Sequence, residues 1–84
     1  MSPATQAILA PSARAFQQAG RLLADLAVAE RLDLDRVRPS FHHDALLACT
    51  VREHDRTLVT YNSDDFGRIQ RHLRGFRFVA PYPR

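Results

Sequence analysis

Lysine is absent from this chain of 84 residues, and all twelve of its fixed cations are arginine. The net charge is +3. Guanidinium groups bind phosphate in bidentate fashion, so the composition is open to a polyanionic partner, yet a compositional bias towards arginine accounts for it equally well. There is one cysteine, Cys49, which excludes an intramolecular disulfide. Set within ALLACT, it is expected to be a small buried hydrophobe rather than a nucleophile. No apolar run approaches the ~18 residues of a membrane span. The opening MSPATQAILAPSARAF lacks the charged-then-apolar layout of a signal peptide, which predicts a cytoplasmic protein. No repeat, linker or low-complexity tract divides the chain, and its length allows one small domain with a single core.

What is present reads as helix first and strand later. Phe16, Ala19, Leu22, Leu23 and Leu26 recur at helical spacing, which predicts a helix over 12–32 capped by Ser12. LDLDRVRPS interrupts the pattern. Ser40 is the expected cap of a second helix, FHHDALLACTVREHD, whose apolar stripe is Leu47, Ala48 and Val51. That boundary puts Asp44 in the first turn. The β-branched TLVTY then predicts a short buried strand. Ser63 is the expected cap of a third helix carrying Phe66, Ile69 and Leu73, ended by Gly75. FRFVA is the second strand, with Phe76, Phe78 and Ala80 on one face, stopped by Pro81 and Pro83. Strand, helix and strand in this order predict a right-handed βαβ unit with parallel strands. Functional groups in such sheets lie beyond the carboxyl ends of the strands, where Asn62, Ser63, Asp64 and Asp65 fall.

Packing of the second helix on the first strand would bring Asp44 towards Asp64 or Asp65. Two facing carboxylates repel unless one is protonated or a cation intervenes. Oxygen donors without a thiol favour Mg²⁺ or Mn²⁺ over Zn²⁺, and the ion can activate water for attack on a phosphodiester. Aspartates near helix N-termini also serve as caps and dipole partners, so spacing alone leaves both roles open. His42, His43, His54 and Cys49 show no zinc-ligand spacing.

The segment FHHDALLACTVREHDRTLVTYNSDDF resembles the C-terminal half of PIN domains, and the VapC-like toxins among them. The family's D-x-x-[IL]-A pattern is matched at Asp44 to Ala48, and its L-[VF]-T-x-N-x-x-D-F pattern at Leu58 to Phe66. FRFVAP also fits, so the likeness is strongest over 41–81. The resemblance implies a three-layer α/β fold and a Mg²⁺- or Mn²⁺-dependent endoribonuclease, the toxin of a toxin–antitoxin pair. Asp44 and Asp65 would be catalytic, metal-binding acids. Thr60 and Asn62 would support them, with Asp64 accessory and Phe66 a core anchor. Apart from the resemblance, Arg68, Arg71 and Arg74 read as a solvated helix face; if RNA binds, His43, Arg68 and Arg71 are the first candidates for contact with it. The partners implied are RNA, a cognate antitoxin protein and a second copy of the chain. The family's first-strand Asp and early-helix Glu have no counterpart in matching context; Asp25 and Glu30 lie elsewhere on the first helix. Residues 1–84 therefore read as one truncated PIN-like domain. Two other readings stand beside the nuclease: an inactive remnant that binds an antitoxin-like peptide or itself through an open strand edge, and an arginine-based nucleic-acid binder.

Overall fold

A computed structural model describes residues 10–81. Its elements are α1 (Ala13–Glu30), α2 (Pro39–Glu53), β1 (Thr57–Val59), α3 (Ser63–His72) and β2 (Arg77–Val79). Among the described residues the fold is mixed α/β, with three helices and a two-stranded parallel sheet on which α2 and α3 pack. Its register pairs Thr57 with Arg77, Leu58 with Phe78 and Val59 with Val79. Pro83 lies outside the described residues. Among the described residues no helix is long and apolar enough to cross a membrane.

Ser12 caps α1 as its sequence predicts, its Oγ accepting from the Ala15 N–H at 3.0 Å. The same hydroxyl donates to the Glu53 carboxylate at 2.8 Å, which ties the start of α1 to the end of α2. The helix ends at Glu30 because Arg31 adopts a left-handed conformation with φ 55°. Its buried stripe is Ala15, Ala19, Leu22, Leu23 and Leu26. Phe16, expected in that stripe, is instead 58% exposed. Both Ala15 and Phe16 are spaced helically from the residues that follow, and burying the smaller one lets α1 and α2 approach closely.

Two helix starts differ from the expected ones. Pro39, rather than Ser40, opens α2: it occupies the first helical turn, and Arg38 before it is the N-cap with extended backbone. Proline suits that position because its missing N–H would have no partner there, and it disfavours helical backbone in the residue before it. Asp44 accordingly stands beyond the first turn. Asn62, not Ser63, caps α3, its side chain accepting from the Asp65 N–H.

The buried side of α2 comprises Phe41, Ala45, Ala48, Cys49, Thr50 and Val51, whereas Leu47 is 40% exposed. This helix packs on α1, α3 and β1 at once, so its buried arc turns away from the narrow stripe read from sequence. Cys49 is fully buried, and that burial pushes its thiol pKa up. Phe66, Phe76 and Phe78 form an aromatic cluster with ring centroids about 6 Å apart, locking α3 to β2. Both strands are shorter than the sequence suggests, and Ala80 lies beyond β2, exposed. Gly75 takes φ 88° in the turn before β2, a conformation that favours glycine.

Replacing Leu26, which has no exposed surface, by alanine should cost about 2–5 kcal/mol of unfolding free energy. Phe16→Ser should cost no more than about 0.5 kcal/mol. Urea denaturation of the two variants tests the placement of the α1 stripe.

Candidate functional site

Beyond β1 the chain makes a short polar turn. The Thr60 N–H donates to the Val79 carbonyl at 3.0 Å, extending the sheet by one bond. The Thr60 hydroxyl accepts from the Asn62 N–H at 3.0 Å, fixing the backbone of the turn. Asn62 is thereby placed at the head of α3, with its side chain between two acids. Its Nδ2 group donates to Asp44 Oδ2 at 3.3 Å and to Asp65 Oδ2 at 3.2 Å. Its Oδ1 accepts from the Asp65 N–H at 3.4 Å. A single amide joins acids contributed by α2 and α3.

Asp65 is buried, at 7% exposure, as the neighbouring Phe66 draws this turn of α3 into the core. Its charge is matched by two guanidinium groups. Arg38 donates to Oδ2, the oxygen that also receives Asn62, and Arg68 lies 3.9 Å from Oδ1. Asp64 is exposed on the other side of the same turn. Asp44 is half-buried. Burial raises its pKa above the ordinary aspartate value, and the Asp65 charge adds to the rise, against the opposing charges of Arg38 and His43. His43 is exposed one residue before it on α2.

Of the solvated face read from sequence, Arg71 and Arg74 are exposed, whereas Arg68 is drawn in. Arg68 Nε reaches Glu30 Oε1 at 3.0 Å, and its guanidinium lies 5.4 Å from the centre of the Phe41 ring. Arg71 stands 3.7 Å and His72 3.4 Å from Glu30 Oε2. Glu30 thus ties the end of α1 to α3. Its partial burial opposes ionisation, but hydrogen bonding and charge from Arg68, with His72 and Arg71, outweigh that and hold its pKa low. Neither Glu30 nor Arg38 is distinguished by sequence reasoning. Arg38 has a local signal, since a residue before proline at a helix start becomes the N-cap. Glu30 has none, because its partners lie 38 or more residues away.

Among the described residues no group of three or more His, Cys, Asp or Glu side chains is arranged to hold a metal. Compared with known protein families, curated proteins and solved structures, the chain matches none.

A raised carboxyl pKa disfavours the ionised group in the folded state. The resulting cost is present at neutral pH and is relieved as pH falls through the folded pKa of Asp44 towards the ordinary value of 3.8. Asp44→Asn should therefore melt at a higher temperature than the parent near pH 7, and the gain should shrink across that acid window. Thermal melts at a series of pH values measure it. A neutral-pH destabilisation would contradict the repulsion described here.

Proposed function

We propose that Asp44 and Asp65 belong to the divalent-cation site of a PIN-type endoribonuclease, with an RNA phosphodiester as substrate. The observation that carries this is the single Asn62 amide bridging the two carboxylates beyond the carboxyl end of β1. The residues fit a Mg²⁺ or Mn²⁺ ion. Such an ion is commonly held by one or two carboxylates with waters and substrate phosphate oxygens completing its shell. The raised Asp44 pKa comes first from burial and then from the Asp65 charge, and a cation between the acids would offset both.

The chain's own residues have separable tasks in this reading. Asp44 and Asp65 would hold the ion, and Asn62 keeps their oxygens turned towards one another. Thr60 fixes the turn that aims Asn62. Phe66 anchors Asp65 against the core, so the carboxylate keeps its position when its partner changes. His43, exposed beside Asp44, is placed for contact with a phosphate entering from solvent. Arg68 and Arg71 are held towards Glu30 and would reach RNA only through their remaining N–H groups. Asp64 would act on the ion only through solvent. When bound, the ion would supply Lewis acidity and a water activated for attack on phosphorus. A cognate antitoxin protein as partner follows from the same family resemblance.

A second reading, an inactive interaction module, draws on the sheet. Thr57, Val59, Arg77 and Val79 are exposed on one face, with Val59 59% and Val79 50% accessible. A two-stranded sheet is marginal alone, and its edges can accept a strand from a peptide or from a second copy.

Incubation with a structured RNA in Mn²⁺ should give cleavage that EDTA suppresses and that Asp65→Asn lowers by at least about a hundredfold, the scale of losing an electrostatic group from a reaction centre. Absence of cleavage at any metal concentration, with concentration-dependent association in sedimentation, would favour the interaction module. Binding that falls steeply with salt and ignores metal would favour arginine-based recognition.

A further inference from the structure

The two arginines on Asp65 are held in different ways. Arg68 is confined: its side chain is 33% exposed, its Nε is bonded to Glu30 and its guanidinium covers the Phe41 ring. Arg38 is fixed only at its backbone. It is the N-cap of α2, followed by Pro39, and its carbonyl accepts from the Phe41 N–H at 2.9 Å. Beyond that anchor its side chain is 68% exposed, and Asp65 is the acid with which it pairs. It makes no capping bond of its own.

Position matters as much as freedom. Arg38 occupies Asp65 Oδ2, the oxygen that shares the Asn62 amide with Asp44. A divalent ion held by both acids would compete with Arg38 for the Asp65 carboxylate. Arg38 is also near enough to Asp44 for its charge to favour the ionised carboxylate. One monovalent group therefore stands where a divalent one would bind, on a long side chain that can leave without disturbing the backbone. Arg68 and Asn62 would remain to hold Asp65 in place.

We propose that Arg38 is a resident counter-cation of the acid pair, occupying Asp65 until a divalent metal ion displaces it and so setting the metal affinity of the site. The proposal rests on reading Asp44 and Asp65 as metal ligands. On displacement the guanidinium swings outward from the N-cap into solvent beside the site. There it is available to a phosphate oxygen, which it can grip in bidentate geometry. Metal binding and exposure of an anion-binding group are thus one event.

The test is a titration of the full chain with Mn²⁺, reading the paramagnetic resonance signal of the free ion. It compares the parent with Arg38→Gln, Arg38→Lys and Asp65→Asn, with circular dichroism confirming that each is folded. Arg38→Gln should bind Mn²⁺ about five- to tenfold more tightly, the scale of one exposed ion pair and one like charge removed. Arg38→Lys keeps the charge without the planar fork and should fall between the two. Asp65→Asn should lose the site. Binding by Arg38→Gln but not by the parent would be the same result in stronger form. Equal or weaker affinity in Arg38→Gln, with loss in Asp65→Asn, would overturn the role of Arg38 and leave the metal site standing. Absence of Mn²⁺ binding in every variant would overturn both.

Discussion

A buried aspartate, its side chain 10% exposed, in the first turn of a short helix is the constraint around which this structure is arranged. Ionised groups removed from water are costly unless paired, and breaking such a pair leaves an uncompensated charge worth several kcal/mol. Asp65 meets that requirement through Arg38 from the start of α2, Arg68 from its own helix, and the Asn62 cap. Asn62 extends the set to Asp44, and Arg68 extends it to Glu30 at the end of α1. The three helices and the strand end are tied to one point by polar contacts.

Apolar packing decides that this point is well defined. Phe66 follows Asp65 directly and packs against Phe76 and Phe78, while Phe41 lies beneath Arg68. The polar layer rests on an aromatic one, so moving this turn of α3 outward would remove Phe66 from the core. The first turn of α3 also supplies N–H groups with no helical partner, and Asn62 accepts one of them. A carboxylate here is favoured by the helix dipole, which helps explain how the turn tolerates Asp64 and Asp65 together. Asp44 lacks that help because Pro39 moves the start of α2 upstream. Burial and the Asp65 charge together raise its pKa, and the charges of Arg38 and His43 offset them only in part.

The parts of this arrangement visible in the sequence are those encoded locally. Ser12 before a helical run, the β-branched TLV, the polar turn and FRFV each carry a short-range signal, and together they define the crossover that sets Asp65 beyond a strand end. The convergence of Asp44 and Asp65 followed from one packing assumption, that α2 lies on β1. Errors arose where two residues competed for one role. Ser40 and Ser63 are good caps by type, but the cap of α2 is Arg38, two positions earlier and set by Pro39 after it, and the cap of α3 is Asn62, one position earlier. Phe16 and Ala15 fit the same helical stripe, and only the distance to the neighbouring helix selects between them. The ion pairs of Glu30 and Arg38 depend wholly on tertiary placement. Nothing near either residue in the chain announces its partner.

The same ion pairs change the meaning of the arginine-rich composition. A chain with no lysine and a net charge of +3 suggests a basic surface, yet many of its guanidinium groups face internal partners. Arg38 pairs with Asp65, Arg68 and Arg71 with Glu30, Arg36 with Asp33, Arg77 with Asp55, and Arg52 bonds the Gln18 side chain. Near the acid pair, cation and anion are closely balanced. A phosphate arriving there would compete with carboxylates already in contact, and a simple electrostatic footprint is a poor description of such a surface. The balance shifts only if a further positive charge enters. Under the proposed metal-site reading, recognition of an anion and binding of a metal ion at Asp44 and Asp65 would for that reason be coupled: an ion held by the acids would free Arg38 to meet a phosphate.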